Sequence, residues 1–208
     1  MNTKAISVLI VDDHSVVRLG MAALLNAETG IKVVGNAKNG IEAVSMARML
    51  RPDVIVMDIE MPRKDGIEAT ADILAEDPDA KILILTSFST PDRIAKAIRA
   101  GALGAIMKNA DDSEMVAAIR AVVQGNPCIA NDIKRLLHED PPAPELSQRQ
   151  QEVLDSITRG LTNADIAKQL GISIDMVKKH MTALMQKMGA ANRSEAVAIA
   201  LKKQLLKI

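Results

Sequence analysis

Five short aliphatic runs, separated by amphipathic stretches, constrain the fold of the first 125 residues more than any other feature. The runs are SVLIV (7–11), IKVVG (31–35), VIVMD (54–58), KILILT (81–86) and GAIMK (104–108). Their apolar character is nearly continuous, which is typical of strands that are buried on both faces. Helical spacing of apolar residues predicts a helix after each strand. The pattern therefore predicts an α/β domain: a doubly wound, five-stranded parallel sheet covered on both sides.

A proline-rich stretch follows this domain, with three prolines within residues 141–144. Proline lacks an amide hydrogen and restricts its neighbour, so this stretch disfavours both helix and strand. We therefore predict a first domain at 1–125 and a semi-rigid linker at 126–145, with room for a short helix at 133–137. The second domain is predicted at 146–208.

Charge also divides the chain at this boundary. Residues 1–145 contain 16 Lys and Arg against 21 Asp and Glu, whereas residues 146–208 contain 10 against 5. The two parts therefore carry net charges of −5 and +5. The basic part can meet a polyanion such as nucleic acid. Phe88 is the only Phe, Tyr or Trp residue, which excludes base stacking on aromatic platforms.

The sequence predicts neither a membrane segment nor a disulfide. Aliphatic runs such as Val8–Val11 and Val54–Met57 contain four residues, far fewer than the roughly 20 that a membrane span requires. Residues 1–11 lack the pattern of a signal peptide. The single cysteine, Cys128, cannot form an internal disulfide, which agrees with a reducing compartment. We therefore expect a cytoplasmic protein with no membrane partner.

After Leu146 the sequence is helical throughout, and cap residues and glycines divide it into four predicted helices. The stretch LTNADIAKQLGISIDMVKKHMTALM (161–185) has the helix, glycine turn and helix of a helix-turn-helix. A plain αα-hairpin is the alternative. A polar face with Lys178 and Thr182 favours DNA binding, and Ser173 can cap this helix and hold a phosphate.

In the predicted sheet, charged and hydroxyl side chains occur where strands end. Asp12 and Asp13 follow the first strand, Asp58 ends the third, Thr86 the fourth and Lys108 the fifth. Ligands of an open parallel sheet bind beyond the carboxyl ends of its strands. Clustered carboxylates require a cation, and Mg²⁺ is the expected one. A metal, an ammonium and a hydroxyl around one carboxylate predict phosphoryl transfer onto Asp58.

The residues of this site resemble those of a known family. The pattern D-x-x-M-P-x-x-D-G is present from Asp58 to Gly66. Residues 1–125 resemble a CheY-like receiver domain of flavodoxin-like fold, and the chain resembles a response regulator of the NarL/FixJ class. The resemblance implies that Asp58 accepts phosphate from a histidine kinase, that Lys108 pairs with the phosphoryl group and that Thr86 is the switch hydroxyl.

The resemblance also implies how the metal is held. Asp13, Asp58 and the backbone carbonyl of Glu60 would hold Mg²⁺, and Asp12 would assist through water. A protein of this kind carries out its own phosphotransfer but is not a turnover enzyme.

One position departs from the receiver pattern. Receivers commonly carry Tyr or Phe three residues before the lysine of the fifth strand, where this sequence has Ala105. Phe88, two residues after Thr86, is a partial substitute. The departure motivates a second hypothesis, a DNA-binding regulator whose receiver switches without phosphorylation. The intact set of acidic residues, threonine and lysine argues against it.

A hypothesis of another class is an aspartyl-phosphate phosphohydrolase. It is suggested by a D-x-D-like segment, Asp58-Ile59-Glu60. In such an enzyme the nucleophile strand lies near the start of the fold, whereas here it is the third strand. A phosphohydrolase would also leave the second domain unexplained.

The second domain is similar to the LuxR-type C-terminal domain of the same class. The matching residues are Leu146, Ser147, Val153, Leu154, Gly160, Asn163, Ile166, Ala167, Ser173, Val177, Lys178, His180, Lys187, Arg193, Glu195 and Ala196. Met176 replaces the usual Thr, which removes one phosphate contact. The resemblance implies a homodimer on double-stranded DNA, favoured by phosphorylation.

Roles for individual residues of this domain also follow from the resemblance. Lys178, Lys179 and Thr182 would face bases in the major groove. Lys187 and Arg193 would approach phosphates. His180 is either a backbone contact or a packed residue. Dimer-interface candidates on the last helix are Val197, Leu201 and Leu205, for which burial in the monomer is the alternative.

Overall fold

The computed structural model describes residues 5–87, 90–203 and 205. The chain forms two compact units, the first extending to Pro142 and the second beginning at Ala143. Within the described ranges, every helix is too short or too polar to cross a membrane.

The first unit is built on a six-stranded, entirely parallel sheet. Its strands are β1 (Ile6–Val11), β2 (Ile31–Ala37), β3 (Val54–Asp58), β4 (Ile82–Thr86), β5 (Gly104–Met107) and β6 (Cys128–Ile129). Their order across the sheet is β2-β1-β3-β4-β5-β6. Strands β3 and β4 are buried at every residue. The nearly continuous apolar runs are therefore explained by helices that cover both faces.

Among the described residues of this unit, six helices surround the sheet. They are α1 (Ser15–Ala27), α2 (Gly40–Leu50), α3 (Gly66–Glu76), α4 (Pro91–Arg99), α5 (Asp112–Val123) and α6 (Asn131–Glu139). Side chains of Asn39, Asp65 and Asp111 accept hydrogen bonds from backbone amides at the starts of α2, α3 and α5. Polar caps thus begin these helices at the positions where the preceding loops leave the sheet.

The first unit continues beyond the predicted domain boundary. The sequence predicts a linker at 126–145, but β6 and α6 lie within that range and belong to the first unit. Ile133 on α6 is fully buried in the same core as the sheet, and Leu136 and Leu137 pack against that core. The boundary near residue 125 is therefore corrected to Pro142.

Strand β6 forms because β5 offers it an open edge. The amide of Ala130 donates a 2.9 Å hydrogen bond to the carbonyl of Ala105. A Cβ atom on Gly104 would lie 2.6 Å from the carbonyl oxygen of Cys128, so only glycine permits this close approach. A two-residue strand has too short an apolar pattern to be recognised from sequence, which is why five strands are predicted and six are present.

The part of the second unit that the structure describes contains four helices, as the sequence predicts. They are α7 (Gln148–Thr158), α8 (Asn163–Leu170), α9 (Ile174–Met188) and α10 (Arg193–Lys202). Gly171 and Gly189 end α8 and α9 in the left-handed conformation that glycine adopts without strain. The buried stripe of α9, Val177, Met181, Leu184 and Met188, packs in the core of this unit.

Candidate functional site

The carboxylates predicted at strand ends meet at one edge of the sheet in the first unit. β1 and β3 are neighbours, and Val11 pairs with Met57. The next residues are therefore Asp12, which is fully buried, and Asp58, which is 4% exposed. Parallel pairing thus brings two carboxylates together in a poorly hydrated place, where their mutual repulsion is costly.

Lys108 relieves this repulsion. Its Nζ atom lies 2.6 Å from Asp12 Oδ2 and 2.8 Å from Asp58 Oδ2. Lys108 directly follows β5, and its amide donates a 2.7 Å hydrogen bond to the carbonyl of Thr86 at the end of β4. The backbone therefore holds one ammonium group between two carboxylates in charge-assisted contacts.

Burial and pairing act in opposite directions on these charges. Burial raises the pKa of Asp58, and the neighbouring Asp12 adds to the increase, whereas Lys108 partly offsets it. Burial alone would lower the pKa of Lys108, but its hydrogen bonds to Asp12 and Asp58 outweigh that effect and the pKa rises. Lys108 therefore stays charged, and any further positive charge at the site favours the ionised form of Asp58.

The acidic site has the ligand atoms that a divalent cation requires. Asp12, Asp13, His14 and Asp58 can each offer one ligand atom, and these atoms lie within 4.8 Å of one another. Asp12 Oδ2 and Asp13 Oδ1 are buried, with Lys108 Nζ 2.6 Å from the first and His14 Nδ1 2.8 Å from the second. Clustered carboxylate oxygens are the ligands that a hard cation prefers, so the residues fit Mg²⁺.

Glu60, predicted as a ligand through its carbonyl group, lies on the loop that follows β3. Its amide donates a long hydrogen bond, 3.4 Å, to Asp58 Oδ1. Its carboxylate is 65% exposed and lies 3.8 Å from Arg93 Nε. The backbone of Glu60 therefore lies beside the acidic site, while its side chain is mostly in solvent.

Gly66 allows α3 to begin directly against the end of β3. Its amide donates a 2.9 Å hydrogen bond to the carbonyl of Ile59. A Cβ atom at this position would lie 2.0 Å from the carbonyl oxygen of Asp58. The glycine of the D-x-x-M-P-x-x-D-G segment is thus required by the close approach of two backbones.

Two side chains that sequence reasoning missed border the site. His14 Nδ1 lies 2.8 Å from Asp13 Oδ1, and the amide of His14 donates a 2.7 Å hydrogen bond to Asp12 Oδ1. Arg93 on α4 donates a 2.9 Å hydrogen bond to Asp65, the N-cap residue of α3. The Asp-Asp-His run in the sequence could have indicated His14, whereas the position of Arg93 depends on how α4 packs.

Thr86 is fully buried at the end of β4. Its preceding residue, Leu85, pairs with Asp58 on the neighbouring strand. The structure thus brings Thr86 to the same sheet edge as the carboxylates. Ala105 is also fully buried and carries no ring. Phe88, the suggested substitute for that ring, lies outside the described residues.

In the second unit, α8 and α9 form the predicted helix, glycine turn and helix. Thr162 and Asp165 make a reciprocal capping box at the start of α8. Ser173 caps α9, where its hydroxyl accepts a hydrogen bond from the amide of Met176. This hydroxyl is therefore already engaged by the helix itself.

The predicted DNA contacts on α9 differ in exposure. Lys178, Lys179 and Thr182 are exposed, whereas His180 is half-buried. Lys178 lies 3.4 Å from Asp175, and both side chains are mostly in solvent, so this pair constrains the lysine weakly. The three exposed side chains are free to reach a partner molecule.

Two other predicted DNA contacts are engaged within the unit. Lys187 donates a 3.0 Å hydrogen bond to the carbonyl of Glu145. The guanidinium group of Arg193 donates to the carbonyl of Leu161 and lies 3.5 Å from Asn163 Oδ1. Arg193 thereby links the start of α10 to the start of α8.

Two protein-family models match the chain, one for each unit. The response regulator receiver domain matches residues 8–120, and the LuxR family of bacterial regulatory proteins matches residues 144–200. The first match contains the acidic site and the second contains α8 and α9.

Curated relatives align along nearly the whole chain. The transcriptional regulatory protein LiaR of Bacillus subtilis is 40% identical, with 97% of this chain and 99% of LiaR covered. The oxygen regulatory protein NreC of Staphylococcus aureus is 37% identical, with 96% and 98% covered. Both are regulators rather than enzymes, which removes the phosphohydrolase hypothesis.

Solved structures give the same result. The response regulator ChrA of a heme-sensing two-component system is 35% identical, covers 97% of this chain and has a TM-score of 0.58. A complex of the response regulator RcsB with DNA is 25% identical, covers 96% and has a TM-score of 0.66. From one end to the other, then, this chain belongs to the NarL/FixJ class of two-component response regulators, with a receiver domain and a LuxR-type helix-turn-helix domain.

Proposed function

We propose that a histidine kinase transfers a phosphoryl group to Asp58, and that this transfer controls binding of α9 to double-stranded DNA. The observation that carries the proposal is the position of Lys108 Nζ, 2.6 Å from Asp12 and 2.8 Å from Asp58. Two buried carboxylates that share one ammonium retain net negative charge. The excess negative charge would not stabilise a purely structural ion pair, whereas a metal-assisted phosphoryl-transfer site requires it.

The transfer is a displacement at phosphorus. A carboxylate oxygen of Asp58 forms the new bond to phosphorus, while the bond from phosphorus to the kinase histidine nitrogen breaks and that nitrogen keeps the electron pair. The ammonium group of Lys108 then pairs with the phosphoryl oxygens instead of the Asp58 carboxylate. The hydroxyl of Thr86 donates a hydrogen bond to the same group.

Asp12, Asp13, Asp58 and the carbonyl of Glu60 are the groups that would hold Mg²⁺. When bound, such an ion would supply positive charge that offsets the negative charge of the phosphoryl oxygens. The clustering of the carboxylate oxygens of Asp12, Asp13 and Asp58, together with one atom of His14, within 4.8 Å supports this assignment. The ion pair with Lys108 orients Asp58, and burial of Asp58 keeps water away from it.

DNA binding is assigned to the exposed polar face of α9. Lys178, Lys179 and Thr182 are the proposed base contacts, because the recognition helix of such domains enters the major groove. Ser173, His180, Lys187 and Arg193 remain proposed contacts to the DNA backbone, although the hydrogen bonds of the last two favour a supporting role. Two copies on paired half-sites would follow from two-fold symmetry.

Val197 and Leu201 on α10, and Leu205, which lies beyond its end at Lys202 rather than on the predicted last helix, are the proposed dimer contacts. Leu201 is 60% exposed, which supports a role at an interface. Val197 and Leu205 are partly buried and pack against the core of their own unit. We therefore expect Leu201 to contribute more to dimer formation than the other two.

A DNA-binding titration tests the proposal. Wild-type protein and Asp58→Ala are titrated against genomic fragments at one salt concentration, with and without acetyl phosphate and Mg²⁺, because affinity for DNA depends strongly on salt. Mass spectrometry on the same samples measures the phosphoryl adduct. We expect an adduct and a gain in affinity for wild type only.

Equal binding by both proteins under every condition would instead favour the second hypothesis, a regulator that switches without phosphorylation. Ala105 is the observation that supports this alternative, because no ring at that position can respond to Thr86. If wild type forms the adduct but its affinity for DNA does not change, phosphorylation of Asp58 would stand and its control of DNA binding would be wrong.

A further inference from the structure

The first turn of α9 exposes two large apolar side chains. Ile174 is 45% exposed and Met176 is 40% exposed. Among the described residues of the second unit, Leu201 is the only other large hydrophobic side chain with such exposure. Two of three therefore lie at the start of the helix whose other exposed residues are mainly lysine and polar.

Neither side chain is needed to build the helix. Ser173 caps α9 through the backbone amide of Met176, at 3.2 Å, so any residue at position 176 could provide this hydrogen bond. The helix packs through its buried stripe, which includes Val177 and Met181. An exposed methionine contributes little to this packing, and a family pattern with Thr at this position makes the methionine a feature of this chain.

The two side chains differ in their neighbours. In a helix, residues three and four positions apart share a face. Met176 therefore shares a face with Lys179 and His180, which are both proposed DNA contacts. Ile174 shares a face with the buried Val177 and with Lys178, another proposed DNA contact.

Ile174 also has a local environment of its own. It lines a shallow cleft with Lys178, Arg193 and residues 160–164. Met176 does not line this cleft, so its side chain faces solvent beside Lys179 and is open to a partner.

The chemistry of the major groove limits what an apolar side chain can recognise. The edges of the bases present hydrogen-bond donors and acceptors there, and the C5-methyl group of thymine is the one apolar group. The N-terminal residues of a recognition helix are those that contact base edges. Methionine is flexible and polarizable, and it adapts to small apolar surfaces.

We propose that Met176 contacts the C5-methyl group of a thymine in the target DNA and makes this protein select thymine at that position. The inference rests on the proposed DNA-binding function and adds a specificity-determining residue to it. Burial of one methyl group predicts a roughly fourfold gain in affinity for thymine.

Uracil substitution tests this contact, because uracil pairs as thymine does but lacks the methyl group. The full-length protein, with acetyl phosphate and Mg²⁺, first selects its site from random DNA duplexes. Each thymine of that site is then replaced by uracil in turn, and dissociation constants are measured at one salt concentration. For wild type, we expect one position at which uracil weakens binding about fourfold.

Variants assign the effect to a residue. Met176→Ala should bind the thymine site about fourfold more weakly and should no longer distinguish uracil from thymine at that position. Ile174→Ala, in the same turn and of similar exposure, is the matched control and should keep the distinction. Circular dichroism should give the same helix content for all three proteins.

Three results would overturn the inference. In the first, wild type shows no sensitivity to uracil at any thymine. In the second, Met176→Ala keeps the full sensitivity, or Ile174→Ala removes it. In the third, the protein selects no DNA sequence at all, which would also overturn the proposed DNA-binding function and is thereby distinguished from the other two.

Discussion

The two units of this protein place their functional groups in opposite environments. In the receiver unit, Asp12, Asp58 and Thr86 are buried at the ends of three strands, and Lys108 follows a fourth. In the DNA-binding unit, most of the proposed contacts lie on α9 and most are exposed, while Arg193 lies on α10.

The receiver site depends on contacts between buried charges, whereas the exposed side chains of α9 have no such dependence. A buried charge is costly without its partner, whereas an exposed lysine is hydrated with or without one. Substitutions in the receiver site should therefore change stability and function together, and substitutions of the exposed residues of α9 should change function alone.

The largest expected effect is that of Gly66→Ala. A Cβ atom would lie 2.0 Å from the carbonyl oxygen of Asp58, and neither backbone can move away easily. We expect a loss of about 3 kcal/mol in the free energy of unfolding of the receiver unit. Urea unfolding followed by circular dichroism measures it.

Gly20→Ala is the control for this prediction. No atom lies within 4 Å of a Cβ atom at position 20, which is inside α1. This change should stabilise the protein by up to about 1 kcal/mol. If both substitutions change the unfolding free energy equally, the close contact between Gly66 and the backbone of Asp58 does not contribute to the stability of the receiver unit.

Ile133→Ala should be nearly as destabilising, because Ile133 lies on α6 and is fully buried in the core of the receiver unit. Removing a buried isoleucine side chain costs about 3 kcal/mol. The exposed neighbour Asn131→Ala is the control and should change stability little. If Ile133→Ala is silent in urea unfolding, residues 126–142 behave as a linker after all.

Lys108→Ala tests the comparison directly. It leaves Asp12 and Asp58 together without their cation, and we expect a loss of about 2 kcal/mol in unfolding free energy when Mg²⁺ is absent. The matched change Lys178→Ala should alter stability by less than about 0.5 kcal/mol and weaken specific DNA binding about tenfold. Similar stability losses for both lysines would contradict the proposed difference between the units.

The smallest expected effect concerns pH. Burial raises the pKa of Asp58 in the folded protein, so the folded state binds this proton more tightly and stability falls as pH rises through that pKa. Hydrogen bonds from Thr162 lower the pKa of Asp165, so its contribution to stability is lost as pH falls through the folded pKa.

Stability of Asp58→Asn and Asp165→Asn, measured between pH 3 and 7 in EDTA, checks these opposite signs. Relative to wild type, Asp58→Asn should become more stable as pH rises above the ordinary carboxyl range, and Asp165→Asn should become less stable. The same slope for both variants would contradict the assignment.

Local patterns in the sequence predicted most of the fold. The apolar runs predicted β1 to β5 because each run is buried by helices on both faces. Thr162, Ser173, Gly171 and Gly189 predicted the ends of α8 and α9, because capping depends on residues that are near one another in the chain. The cluster at the sheet edge was also predictable, since strand ends follow from the strand pattern.

The sequence by itself thus determined the regular elements, their parallel arrangement and the group formed by Asp12, Asp58 and Lys108. Only the tertiary structure decided that β6 and α6 complete the receiver unit, because their formation depends on the open edge of β5 and on the close approach allowed by Gly104. It likewise decided that Arg193 bonds to the start of α8. Contacts of this kind join residues that are distant in the chain, so no local pattern encodes them.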